Sequence, residues 1–174
     1  MFVKKNTNAS HKNYVCFDAD NDINYYRLMT SWKENDNSDF NFYNAYETNT
    51  VGDGIPESEI KANIFKGLEN TKTLVVIIGE NTKSLYKYSR WEIEWAIEND
   101  IPIVAVNINK KKVMDDKLCP DMLKCELAIH IPFGKNILNF ALKYWPSSSS
   151  RHKKNGERGA YIYAETVYRK LESV

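Results

Sequence analysis

The chain reads as an α/β protein whose parallel sheet is wrapped by helices on both faces. Two observations predict this. Short apolar runs alternate with stretches of helical periodicity in the order βαβαβαβ, an irregular connection, then βα. Such alternation implies a doubly wound parallel sheet. The run Leu74-Val75-Val76-Ile77-Ile78 is apolar throughout and stops at Gly79, as expected of a central strand covered on both faces.

Each element follows from its residues. Residues 1–12 are polar and predict a disordered tail. Tyr14-Val15-Cys16-Phe17 is a buried strand that runs into Asp18-Ala19-Asp20-Asn21-Asp22. Ile23, Tyr26, Met29 and Trp32 then recur at helical spacing. A weak alternation over 38–43 predicts a second strand, and a polar loop with Gly52 and Gly54 follows. Pro56 suits a first helical turn, Glu57 and Glu59 suit its positive end, and Ile60, Ile64 and Leu68 form a buried stripe. After Leu74–Ile78 and the loop 80–88 comes a helix beginning Ser89-Arg90-Trp91-Glu92. Residues 101–108 form a strand with Pro102 at its start, where a missing N–H is tolerated. Leu127–Phe133 is a fifth strand, and Ile137, Leu138, Ala141, Leu142 and Trp145 make an amphipathic helix. Pro146 and four serines then predict a flexible linker. Beyond it, Tyr161, Ala164, Val167, Tyr168 and Leu171 suggest one more helix within 160–172. The expected organisation is thus a tail (1–12), a main domain (13–146), and a linker with a C-terminal helix (147–174).

Composition narrows the function classes. The chain has 174 residues, 43% of them hydrophobic, and a net charge of +1. A near-neutral balance does not point to nucleic acid or a membrane surface. No apolar run approaches the ~20 residues needed to span a bilayer. The N-terminus lacks the apolar stretch of a secretory signal, so a cytoplasmic protein is expected. Cys16, Cys119 and Cys125 are an odd count, expected as reduced thiols. With His130, the last two lack the spacing and the fourth ligand of a zinc site. His130 itself, in Ala128-Ile129-His130-Ile131, is expected to face outward or to be hydrogen-bonded.

In a sheet of this kind ligands gather at the carboxyl ends of the strands, at the switch in winding direction. The segments 17–22, 44–54 and 79–92 compete for that place. Neither GxGxxG after the first strand nor GxxxxGK[ST] occurs, which argues against a dinucleotide fingerprint and a P-loop. Asp18, Asp20 and Asp22 form D-x-D-x-D at a strand exit. One reading is a Mg²⁺-dependent phosphohydrolase using Asp18 and Asp20; the other is helix capping by Asn21 or Asp22 with solvated neighbours. Ser89-x-x-Glu92 matches a capping box, which alone would explain the glutamate. On a helical wheel Ser89, Ile93, Ala96 and Ile97 face the sheet and Glu92 lies at the margin, overlooking the cleft without being buried. Trp91 and Trp95 fall off that stripe, and two tryptophans on one face suggest a contact surface.

The strand into Phe17-Asp18-Ala19-Asp20-Asn21-Asp22, the run Leu74–Ile78 with Gly79-Glu80-Asn81-Thr82, and Arg90-Trp91-Glu92-Ile93-Glu94-Trp95-Ala96-Ile97 together carry a family resemblance. The chain resembles the bacterial TIR-like domains, in particular the NAD-consuming sensor subunits of Thoeris anti-phage systems. The resemblance implies a flavodoxin-like, three-layer fold with five parallel strands, plus a C-terminal helical extension. It implies an NAD glycohydrolase/cyclase that breaks the nicotinamide–ribose bond. The product would be a cyclic ADP-ribose isomer, a diffusible second messenger for an effector partner. NAD is the substrate, and neither cofactor nor metal is needed. The catalytic glutamate of the family falls by motif on Glu92. Phe17, Asp18, Asp20, Tyr46, Gly79, Ser84 and Trp91 are the expected substrate contacts. The alternative is a catalytically silent TIR-like assembly module, forming a homo-oligomer through its Trp91/Trp95 face.

Overall fold

The structure is a computed structural model and describes residues 12–33, 39–43, 54–84 and 87–173. The expected tail at 1–12, apart from Lys12, lies outside the described residues, as does Tyr46.

Six strands form one sheet in the order β2-β1-β3-β4-β5-β6, with every neighbouring pair parallel. They are β1 (Asn13–Cys16), β2 (Phe42–Tyr43), β3 (Thr73–Ile78), β4 (Ile103–Asn107), β5 (Ala128–Pro132) and β6 (Ala160–Tyr161). The first five follow the flavodoxin-like order, whose switch point lies between β1 and β3. The described helices are α1 (Ile23–Ser31), α2 (Glu57–Leu68), α3 (Tyr88–Glu98), α4 (Lys135–Lys154) and α5 (Glu165–Glu172).

Strand periodicity divides the core into two layers. Val15, Phe17, Val75, Ile77, Val104, Val106, Ile129 and Ile131 pack with α1, α4 and α5 on one face. Tyr14, Cys16, Leu74, Val76, Ile78, Ile103, Ala105 and Ala128 pack with α2 and α3 on the other. β3 is buried at every position, which explains its unbroken apolar sequence.

The C-terminal part corrects the sequence reading. Pro146 and Ser147–Ser150 lie inside α4 rather than in a linker. The buried stripe of Ile137, Leu138, Ala141, Leu142 and Trp145 continues to Ser149, so tertiary packing overrides the poor helix propensity of the proline and serines. Arg151, His152, Lys153 and Lys154 occupy the last turn, where cations complement the helix dipole. The last expected helix begins only at Glu165, because Ala160 and Tyr161 pair instead with Ala128 and Ile129 as a sixth strand. Gly159, at φ +97°, delivers the chain to that edge.

His130 is also corrected. It neither faces out nor finds a partner: it is fully buried in β5, and neither ring nitrogen is hydrogen-bonded. Burial lowers its pKa to about 4, so the ring is held neutral. Among the described residues, no helix is long and apolar enough to cross a membrane.

Candidate functional site

The switch point is bounded by the chain leaving β1, the chain leaving β3, and the first turns of α3. After β3, the Thr82 hydroxyl fixes the turn. Its Oγ1 accepts from the Gly79 N–H at 2.7 Å and donates to the Ile77 carbonyl at 3.1 Å. A 3-10 turn, Thr82–Ser84, follows.

α3 does not begin as the capping-box pattern predicts. Its N-cap is Lys87, without a side-chain cap, and Ser89 lies inside the first turn. Glu92 therefore falls two residues further in, in the second turn, and points into the protein, exposing only 5% of its surface. Its Oε1 accepts the Tyr14 phenol at 2.7 Å, a contact across 78 residues of sequence. The Cys16 thiol, two residues along the same face of β1, lies close enough to the carboxylate for each to shift the other's pKa. The same thiol faces the Ser89 carbonyl at 3.9 Å. Burial raises the Glu92 pKa to about 7, and the two β1 donors only partly offset it. The reciprocal effect holds the Cys16 thiol protonated, through burial first and the neighbouring carboxylate second.

The β1 exit carries a second acidic group. Asp18 is consumed locally: Oδ1 accepts the Asp20 N–H at 3.0 Å and Oδ2 accepts the Asn21 amide at 2.6 Å. Asp22 occupies the N-cap position of α1 but makes no side-chain cap bond. Its carboxylate instead lies against Gly79, where an added Cβ would come 2.2 Å from Oδ2. Glycine at 79 is thus required by close approach. Asp22 Oδ2 is buried without a partner. Its pKa is raised to about 6, by burial first and then by Asp18 and Glu80.

The expected contacts divide accordingly. Glu92, Asp18 and Gly79 lie at or beside the switch point, whereas Asp20 is exposed at the rim. Phe17 turns to the opposite core layer and stacks on Tyr26, with centroids 4.7 Å apart, so it is a core ring and not a free stacking platform. Ser84 is exposed in its 3-10 turn. Trp91 is half-buried, edge-on to Tyr88, with the Lys61 ammonium 4.9 Å from its ring centre. Trp95 stacks on Phe65 of α2 at 4.4 Å. The face expected to stay open for a partner is therefore largely covered by α2. Among the described residues, no three His, Cys, Asp or Glu side chains are arranged to hold a metal ion.

Sequence reasoning missed Tyr14, Cys16 and Asp22 as parts of the site. Tyr14 and Cys16 look like ordinary core positions in an apolar run, and only the fold brings them to Glu92.

No curated protein matches the chain. The family model described as Thoeris protein ThsB, TIR-like domain, matches residues 14–113. That span is more than half of the chain, and runs from β1 through the segment after β4, including Tyr14, Cys16, Asp22, Gly79 and Glu92. The chain therefore belongs to the Thoeris ThsB family of TIR-like domain proteins.

Proposed function

We propose that this protein cleaves the nicotinamide–ribose bond of NAD and converts the remainder into a cyclic ADP-ribose isomer, which signals to an anti-phage effector. The observation that carries the reading is the Glu92 carboxylate, buried in the second turn of the helix after β3 and, among the described residues, met by neutral groups alone.

The chemistry suits one such group. In NAD the nicotinamide nitrogen is cationic, so it leaves with the bonding pair as a neutral molecule and needs no acid. Positive charge then develops at C1′ of the ribose. A carboxylate in a low-dielectric setting stabilises that charge far better than it would in water. A hydroxyl of the same ADP-ribosyl unit next bonds to C1′ and must lose its proton. A carboxylate titrating at about 7 is suited to accept it. Water attacking in its place would yield linear ADP-ribose. The charged form of Glu92 is the active one, so turnover rises as pH increases through about 7.

The test is incubation of the protein with NAD, with the products identified by mass spectrometry, beside Glu92→Gln. Release of nicotinamide with a cyclic product by the native chain, and a loss of ~10³-fold in the variant, is the expected result. Equal turnover by both would remove Glu92 from the chemistry.

A further inference from the structure

We infer that Tyr14 is a positioning residue for Glu92, held in place by a packing arrangement that runs back to Gly67 in α2. The inference rests on Glu92 being the reacting carboxylate, and it names the parts of the fold that aim it.

Glu92 lies on a helix, and a glutamate side chain has three rotatable bonds. Tyr14 lies on a central strand, buried on both sides, so its phenol is a fixed point. The 2.7 Å hydrogen bond between them transfers the rigidity of the sheet to the carboxylate. Tyr14 is in turn fixed by its surroundings. Its ring packs tilted against Tyr43 of β2, centroids 5.6 Å apart. Both rings press on α2 at Gly67. A Cβ there would lie 2.6 Å from Tyr43 Cε1 and 3.3 Å from Tyr14 Cε2. Gly67 lies inside α2 without a positive φ, where glycine costs up to about 1 kcal/mol relative to alanine, so the residue sits there against local propensity. What it secures is chiefly space for the Tyr43 ring, against which the ring that reaches Glu92 is packed.

Among the described residues, the Tyr14 phenol donates to the Glu92 carboxylate and the Cys16 thiol lies beside it, both from β1. Both are donors and both are uncharged. Each favours the ionised carboxylate by hydrogen bonding, and neither neutralises it. Such a site keeps a carboxylate anionic enough to act, yet basic enough to accept a proton. An arginine or lysine in the place of Tyr14 would abolish that balance.

The test titrates Glu92 directly. In protein carrying ¹³C-carboxyl glutamate, the Glu92 resonance is assigned by its loss in Glu92→Gln and followed with pH. The native midpoint is expected near 7. Tyr14→Phe keeps the ring and its packing but removes the donor, and is expected to raise the midpoint by about one unit. The pH profile of NAD cleavage should move up by the same amount, with KM for NAD unchanged. Gly67→Ala, which alters neither partner, is expected to shift the midpoint in the same direction by less. An unmoved midpoint in Tyr14→Phe overturns the positioning role, whatever the protein does to NAD. A moved midpoint in a protein that leaves NAD intact instead overturns the proposed activity and keeps the Tyr14–Glu92 coupling.

Discussion

Two buried carboxylates show how differently the two sides of this molecule treat charge. Asp115, in the segment after β4, is saturated with donors. It takes the Lys111 ammonium at 2.6 Å, the Asn109 amide at 2.9 Å, and the Lys117 and Leu118 N–H groups at 2.9 and 3.2 Å. Lys111 and Asn109 lead in holding its pKa well below the usual carboxylate range. Glu157, near the start of β6, is similar: Tyr161, Asn155 and His152 bring its pKa down to about 2. Among the described residues Glu92, in the core, meets two weakly acidic groups and no cation, and its pKa moves the other way. A carboxylate that organises structure is surrounded by charge or by backbone donors. Glu92, which the proposed activity uses, is left partly uncompensated, at some expense in stability.

The comparison can be broken most directly at Glu92. With an ordinary value of 4.5 and a folded value of about 7, the folded protein binds the more protons between those limits. Stability therefore falls as pH rises through that window, by roughly 3 kcal/mol at completion. Glu92→Gln is expected to be more stable than the native chain at pH 8, by roughly 2–3 kcal/mol, and no more stable at pH 4. Urea unfolding at the two pH values measures this. Asp115→Ala is the contrasting case. It removes the acceptor shared by four donors, most of them on exposed residues that water can satisfy, and is expected to destabilise by about 1–2 kcal/mol, measured by the same unfolding at pH 7.

Further effects sharpen the contrast. Gly79→Ala forces a methyl group into the Asp22 carboxylate, and a loss of about 1–3 kcal/mol is expected by thermal unfolding. His130 behaves as the mirror image of Glu92. Its folded value of about 4 lies below the ordinary 6.5, so the folded protein binds fewer protons there. Stability from the neutral ring is complete above 6.5 and is lost as pH falls towards 4. His130→Leu should flatten the acid limb of the stability curve, with a gain of only about 1 kcal/mol at pH 7.

What the sequence made legible follows physical range. β3, β4 and β5 show as apolar runs because parallel strands buried on both faces need them. Glu92 was marked by a local pattern, Ser-Arg-Trp-Glu, yet the same pattern suggested the wrong local role. A capping box would have kept the glutamate at the helix end. The helix instead starts two residues earlier, at Tyr88 with Lys87 as N-cap, and Glu92 turns inward to a phenol that no local rule could supply. α4 passing through Pro146, and β6 at Ala160–Tyr161, were illegible for a related reason. Both depend on packing against β5, and composition alone describes a linker. Asp22 was read as a cap because its spacing fits one, whereas its orientation is set by Gly79, 57 residues away.

The claim that Glu92 is the working carboxylate is tested most directly by the pH dependence of NAD cleavage, in the native chain and in Glu92→Gln. Native turnover is expected to rise to half its maximum near pH 7, with nicotinamide released beside a cyclic nucleotide, and to exceed the variant's by ~10³-fold at pH 8 and above, the gap narrowing as Glu92 protonates at lower pH. A variant that cleaves NAD as fast as the native chain, or a native profile flat between pH 5 and 9, would contradict it.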